Sequence, residues 1–159
     1  MTPYRRRRVT FYRGSRNKYS VEQTGGNVIT NESGTALIGI VRPSDTEGMR
    51  KVKNITINLA ASASTSATVG NMFYALVYVP AGTVPSSINW STTGAPFYEP
   101  NQFVITCGVF DSDSGPNRIF VPLARNLNSG DSVQLILRSA AGAANQAFHY
   151  VVRYAITLN

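Results

Sequence analysis

The chain has 159 residues, one cysteine and a formal net charge of +7, from fifteen Lys and Arg against eight Asp and Glu. This length fits one domain with a full hydrophobic core. The single cysteine, Cys107, excludes an internal disulfide. The sequence contains no apolar run of about 18 residues, which predicts that no segment inserts into a membrane.

Residues 1–18 form a basic arm that holds the whole net charge. The arm has no acidic residue, whereas residues 19–159 have eight basic and eight acidic residues and are formally neutral. Clustered guanidinium groups bind phosphates, and aromatic rings among them suit base stacking on single-stranded nucleic acid. The predicted phosphate ligands are Arg5, Arg6, Arg7, Arg8, Arg13, Arg16 and Lys18, with Tyr12 as a stacking ring. A nuclear import signal, a membrane-surface patch and a solvated tail are the alternative interpretations.

Residues 19–159 are expected to form one β-domain, because β-rich runs alternate with segments of Gly, Pro, Asn, Asp and Ser. Eight runs are recognised: 18–30, which Gly25 and Gly26 interrupt, 35–42, 51–59, 72–79, 103–110, 117–123, 132–139 and 146–158. The sequence shows no convincing long amphipathic helix. Eight strands with neutral, Gly- and Ser-rich loops predict an all-β fold, an eight-stranded antiparallel jelly-roll sandwich.

The apolar pattern within the runs predicts which strands are covered on one side and which on both. In 51–59, Ile55, Ile57 and Leu59 share one face, and in 146–158 the apolar face opposes His149, Arg153 and Thr157. The run 72–79 is apolar on both faces, so it is predicted to be a central strand. The long connection 80–102 is expected to be functional or an interface, with one helical turn over 86–90.

Arg50, Lys51 and Lys53 form a second basic cluster where a strand begins. One interpretation adds Lys51 and Lys53 to the nucleic-acid ligands of the arm. The other is a solvated strand end.

The sequence has few candidate catalytic or metal-binding residues. His149, the single histidine, is predicted to be structural, and Cys107 to be a small core residue. A nucleophile and base pair of Cys107 and His149 would require the fold to join them. Asp111 and Asp113 indicate a solvated turn, with a Ca²⁺ contact as the alternative. No zinc spacing and no phosphate-loop motif occurs, so we predict no enzyme, no metal and no cofactor.

Five stretches resemble the capsid proteins of circular, Rep-encoding single-stranded DNA viruses, the circovirus-like group. They are NKYSVEQT at 17–24, KVKNITINL at 51–59, YALVYVPAGT at 74–83, FYEPNQFVITCGVF at 97–110 and LARNLNSGDSVQLIL at 123–137. The resemblance covers nearly all of the body. The ordered set of stretches behind a basic arm carries it.

The resemblance implies a single jelly roll in two four-stranded sheets and a closed icosahedral shell, in the simplest arrangement of about sixty copies. It implies inward-facing arms on a single-stranded DNA genome, a virion location and, through the arm, a host import receptor during nuclear assembly. The arm here is shorter and less Arg-rich than is common in that group. Three alternatives remain open: a cellular β-sandwich that binds nucleic acid without a shell, the capsid protein of a small RNA satellite virus, and a Cys–His hydrolase.

Overall fold

The structure is a computed structural model that describes residues 19–31, 34–45, 48–62, 70–83, 103–139 and 145–158. Nine strands occupy most of these residues. In chain order they are β1 Ser20–Ile29, β2 Thr35–Val41, β3 Arg50–Ala61, β4 Asn71–Val79, β5 Val104–Asp111, β6 Asn117–Val121, β7 Arg125–Leu127, β8 Ser132–Ser139 and β9 Ala147–Leu158. The basic arm, the expected helical turn at 86–90 and most of the 80–102 connection lie outside the described residues.

The strands form two antiparallel sheets. Sheet A has the order β1-β9-β3-β6, with β7 also paired to β3, and sheet B has the order β2-β8-β4-β5. β7 and β6 pair with successive stretches of β3, around Lys51 and Ile57 respectively, and therefore share one strand position. Pro122, which has no N–H to donate, lies between them. When β6 and β7 are counted as one strand position, the two sheets have four positions each, in the jelly-roll order. This arrangement confirms the predicted fold.

β4 confirms the expectation of a strand that is covered on both sides. It lies inside sheet B between β8 and β5. Its Met72 and Leu76 point into the main core between the sheets, whereas Ala75 and Val77 belong to a second buried cluster. An apolar run without alternation therefore marked a doubly covered strand.

The main core contains the inward residues of both sheets, and β3 shows how the chain keeps them there. Ile55, Ile57 and Leu59 are fully buried, as predicted, and so is Val52. Val52 and Ile55 both face the core although they are three residues apart, because a bulge shifts the register to β9 between Lys53 and Thr56. Asn54 occupies the bulge at φ 54°, in the left-handed region that Asn tolerates better than most residues.

β1 corrects the prediction that Gly25 and Gly26 interrupt the first strand. It continues through both glycines and pairs with β9 over ten consecutive residues. A Cβ at Gly26 would lie 2.8 Å from Tyr150 Oη, so the glycine makes room for the ring on the neighbouring strand. The dipeptide serves a close approach across the sheet and does not form a turn.

Within the described ranges, no helix has the length and apolar character needed to cross a membrane.

Candidate nucleic-acid interface

The second basic cluster divides between the two sides of sheet A. Lys51 and Lys53 point away from the core, whereas Arg50 is buried at 8 % exposure. Arg50 donates from Nη1 to the carbonyl oxygen of Arg42 (3.1 Å) and from Nη2 to that of Asp131 (3.0 Å). Strand alternation imposes this division. Arg50 is thus a structural residue, while the two predicted ligands lie on the outward face.

Strand register adds two further cations to that outward face, which sequence analysis did not identify. Arg153 of β9 lies opposite Thr56 of β3, and Arg118 of β6 lies opposite Asn58 of the same strand. Arg118 and Arg153 are both exposed. The face composed of Lys51, Lys53, Arg118 and Arg153 is called the cationic face below. Its members come from three strands far apart in sequence, so only the sheet register brings them together.

The cationic face has no acidic partner within its own sheet. Glu22 is the one Asp or Glu in the five strands of sheet A. It pairs with Tyr154, whose ring packs against the core on the opposite side. Burial and then the nearby Glu22 carboxylate raise the pKa of Tyr154, which is consistent with that placement. The outward charges therefore add to one another, which favours a polyanionic ligand.

Aromatic rings accompany the cations on this face. Phe120 of β6 is 52 % exposed, and the guanidinium carbon of Arg118 lies 5.8 Å from its ring centroid. Lys53 Nζ lies 3.6 Å from the ring centroid of Tyr19. Cations beside an exposed ring such as Phe120 can contact phosphates while the ring stacks with an unpaired base.

Tyr19 also connects the cationic face to the arm. It immediately precedes β1 and follows Lys18, the last residue of the arm. Its ring lies beneath Lys53, so the residue that directly follows the arm in sequence contacts the cationic face. The predicted arm ligands themselves lie outside the described residues: Arg5, Arg6, Arg7, Arg8, Tyr12, Arg13, Arg16 and Lys18.

One end of the sandwich is held by a buried carboxylate. Asp131 accepts hydrogen bonds from Tyr78 Oη (2.6 Å), Ala81 N (3.0 Å) and Asn128 N (2.8 Å). Burial raises the pKa of Asp131, but the hydrogen bonds more than offset it and lower the pKa below its usual value. The same Tyr78 hydrogen bond, followed by burial, raises the pKa of Tyr78. This Asp131 hub joins the ends of β4 and β7 and, through Arg50, the start of β3.

Cys107 and His149 do not form a catalytic pair. Cys107 lies on β5 opposite Ala75 and faces outward from sheet B, whereas His149 lies on β9 opposite Ala60 and faces outward from sheet A. The sandwich separates the two side chains. The prediction that Cys107 is a core residue is wrong: its side chain is exposed, because it falls on the outward side of an edge strand.

Asp111 and Asp113 form a turn after β5. Asp111 Oδ1 accepts a hydrogen bond from Asp113 N at 3.0 Å and begins the short 3₁₀ turn Ser112–Ser114. This geometry matches the predicted solvated turn. In the described part of the chain, no group of three or more His, Cys, Asp and Glu side chains could hold a metal ion.

No family model matches the chain, and no curated protein matches it. Among solved structures, the chain resembles that of infectious bursal disease virus Gt strain, with 9 % identity, a TM-score of 0.42 and coverage of 89 % of this chain and 32 % of that one. It resembles the VP2 subviral particle of the same virus with 12 % identity, a TM-score of 0.41 and coverage of 90 % and 33 %. A full particle of Israeli acute paralysis virus heated to 63 degrees gives 8 % identity, a TM-score of 0.44 and coverage of 90 % and 70 %. The chain spans about a third of the two bursal disease virus chains. Likeness at this level assigns no function.

Proposed function

We propose that this chain is a viral capsid subunit that assembles into a closed shell and packages single-stranded DNA. The observation that carries the proposal is the combination of a jelly-roll sandwich, a cationic face without acidic residues and an Arg-rich arm that directly precedes Tyr19, whose ring contacts that face. The resemblance of five stretches to circovirus-like capsid proteins supports DNA as the cargo. Residues 1–18 act as the packaging arm and residues 19–159 as the shell domain.

The arm and the cationic face both neutralise phosphates. The arm contributes Arg5 to Arg8, Arg13, Arg16 and Lys18, with Tyr12 stacking on a base, and the face contributes Lys51, Lys53, Arg118 and Arg153. Eleven cations per subunit in a shell of about sixty copies would neutralise about 660 phosphates if each met one. Neutralisation without base-specific contacts suits a protein that must enclose any part of a genome.

The rest of the surface supports self-association. Only 14 % of residues are charged, against about 25 % in an average domain. Large apolar side chains are exposed on several elements, among them Leu123 at 63 % and Val109 at 54 %. Contacts between copies would bury such groups at little cost in desolvation, since few charges surround them.

Several finer features belong to the same proposal. The shell has icosahedral symmetry with about sixty copies, the simplest closed arrangement. The virion is the protein's location, and the arm also engages a host import receptor before nuclear assembly. The protein is not an enzyme, so Cys107→Ser leaves assembly and nucleic-acid binding unchanged.

The proposal is tested by size-exclusion chromatography with light scattering on the full-length protein, with absorbance at 260 and 280 nm across the peak. We expect particles of about 1 MDa, from about sixty copies of 17.2 kDa, with excess absorbance at 260 nm. A variant that begins at Lys18 should lose most of that excess.

The outcomes separate the alternatives. A monomer or small oligomer that still binds nucleic acid would contradict the shell and favour a cellular binding module. Particles whose cargo is digested by ribonuclease but not by deoxyribonuclease after disruption would contradict the DNA assignment and favour an RNA satellite capsid.

A further inference from the structure

β1 is the strand that its own subunit covers least. It lies at the edge of sheet A, and within the described ranges it pairs with β9 alone. Nine of its ten residues are exposed, and Val28 is half-buried. Each of the other described strands has at least one buried residue. β1 therefore has a free backbone edge and contributes little to the core of its own subunit.

The β1 edge also lacks the features that usually block the addition of another strand. β1 has no Lys, Arg or Pro, and its pairing with β9 shows no register shift. The other three sheet edges formed by described strands are interrupted. Pro122 separates β6 from β7, and register shifts occur where β2 pairs with β8 and where β5 pairs with β4. β1 is thus the edge most open to a further strand.

The free edge of β1 is formed by its odd-numbered residues. Thr30, directly after β1, donates from its backbone N to the carbonyl oxygen of Gln146, which directly precedes β9 (2.9 Å). Backbone groups of successive residues in an antiparallel strand point to alternate edges, and the register of β1 with β9 is regular. The even-numbered residues of β1 therefore bond to β9. The N–H and C=O groups at the free edge belong to Val21, Gln23, Gly25, Asn27 and Ile29.

These free-edge residues follow a symmetric order along the strand: apolar, amide, glycine, amide, apolar. An antiparallel second copy centred on Gly25 places Val21 opposite Ile29 and Gln23 opposite Asn27. Val21 is 58 % exposed and Ile29 is 56 % exposed, so this pairing covers two apolar side chains that a single subunit leaves in solvent. The amides of Gln23 and Asn27 can each donate and accept a hydrogen bond. The free edge is therefore complementary to a reversed copy of itself.

The charge on β1 does not oppose this contact. Glu22 is the single charged residue of the strand. In the register centred on Gly25, it lies opposite Val28 of the second copy. The two Glu22 residues then lie about 20 Å apart, since each residue adds about 3.4 Å along a strand. This distance exceeds the screening length of about 10 Å at 0.1 M salt, so repulsion between the carboxylates is weak.

We propose that β1 pairs with β1 of a second copy of this chain about a two-fold axis at Gly25, which joins two copies of sheet A into one continuous sheet. The opposed residues offer about ten backbone hydrogen bonds, the number found in a typical protein interface. The contact is isologous, because both copies use the same surface. Directly opposed residues of an antiparallel pair point to the same side, so the two cationic faces lie on one side of the joined sheet. The inference rests on the proposed function in one respect: the axis is expected to be a two-fold axis of the shell.

Cysteine pairs on the free edge test both the contact and its register. Directly opposed residues that exchange hydrogen bonds have Cα atoms about 5.5 Å apart, within the range of about 4.4–6.8 Å that a disulfide spans. Gln23→Cys combined with Asn27→Cys puts each new thiol opposite one of the second copy. The control, Val21→Cys combined with Asn27→Cys, carries the same number of thiols on the same edge but none in opposition. Both are made in full-length protein with Cys107→Ser, stripped of nucleic acid in high salt, returned to low salt and oxidised with diamide.

We expect the Gln23 and Asn27 variant to give about tenfold more disulfide-linked dimer than the control on a non-reducing gel, because only its thiols meet the distance requirement. A second measurement covers the case in which a cysteine variant fails to fold, which thermal unfolding would reveal. Val21→Lys should raise the concentration of half-association in sedimentation equilibrium about tenfold, because the two-fold axis loses the pair of Val21 and Ile29 twice. Val151→Lys is the matched control, since Val151 is exposed on the same side of sheet A but lies on β9, away from the edge. It should leave the association unchanged.

Equal dimer yields from the two cysteine variants, or equal association of the two lysine variants, would overturn the pairing of β1 with itself. Closed particles that form without the disulfide would overturn the pairing and retain the capsid proposal. Conversely, a disulfide-linked dimer in a protein that forms no larger particle would retain the pairing and contradict the shell.

Discussion

Replacing Arg153 by Gln removes one charge from the interior of the cationic face. Arg153 is exposed on β9 and lies between Gln23 of β1 and Thr56 of β3, away from the sheet edges. One phosphate contact to a single strand contributes about 0.7 to the slope of log K against log salt. We expect Arg153→Gln to reduce the slope by about 0.7 and to weaken binding about fivefold at about 0.1 M salt.

Arg138→Gln is the matched control for this substitution. Arg138 also occupies a strand interior, but on β8 of sheet B, opposite Phe73 and Thr35, and its neighbour Leu137 points into the core. Its side chain therefore faces outward on the other side of the sandwich. The charge change is identical, so a general electrostatic effect would lower the slope equally in both variants. A slope that changes only with Arg153 localises the contact to the cationic face.

The assay is fluorescence anisotropy of a labelled oligothymidine of twenty nucleotides, titrated with stripped full-length protein at several salt concentrations. Removing all four cations of the face, Lys51, Lys53, Arg118 and Arg153, should reduce the slope by about 3 and the affinity about 600-fold at about 0.1 M salt. Circular dichroism of each variant checks that the sheets remain folded. An unchanged slope in the fourfold variant would refute the face as a nucleic-acid surface and leave the arm as the only contact.

Two further substitutions, Gly130→Ala and Asp131→Asn, test the Asp131 hub, and Gly82→Ala is the control for the first. A Cβ at Gly130, where φ is +80°, would lie 2.7 Å from Ala81 Cβ, so Gly130→Ala should lower the free energy of unfolding by about 2–4 kcal/mol in urea titrations. Gly82 has a φ of +76° and no neighbouring atom within 4 Å of a Cβ, so Gly82→Ala should lower the free energy of unfolding by only about 1 kcal/mol. Equal losses in the two alanine variants would rule out the clash with Ala81. Hydrogen bonds lower the pKa of Asp131 in the folded state. Its contribution to folding stability is therefore complete above its unfolded-state pKa of about 3.9 and is lost as the pH falls through its folded-state pKa. Asp131→Asn should therefore lower the free energy of unfolding by about 3 kcal/mol at neutral pH and flatten the loss of stability below about pH 4. A variant that is as stable as the wild type at neutral pH would show that the Asp131 carboxylate does not stabilise the fold.

Local patterns were sufficient to predict the fold. Alternation in 51–59 and 146–158 identified sheet strands with one buried side, and the two-sided apolar run 72–79 identified the interior strand of sheet B. β7 was missed because three residues are too few to show a period of two. The Gly25–Gly26 interruption was wrong because the need for glycine arises from Tyr150, a residue far away in sequence.

The candidate interface was only partly predictable. Lys51 and Lys53 were found because they are neighbours in sequence, whereas Arg118 and Arg153 are isolated and join them only through pairing with β3. Arg50 was grouped with the lysines by proximity, but one step along a strand reverses the side of the sheet. The complete cationic face could have been predicted only if the pairing of β9 and β6 with β3 had been known. The alternation of apolar and polar residues does not show which strands pair.

Electron cryomicroscopy of the purified particle would show whether the cationic face receives the packaged strand. We predict a closed shell in which the cationic face of sheet A looks toward the lumen, with internal density in contact with Lys53 and Arg153 at the point where Tyr19 leads into the arm. Particles in which this face points outward or is buried between protein subunits would contradict the claim that it receives the packaged strand. Absence of any closed particle would contradict the capsid assignment itself.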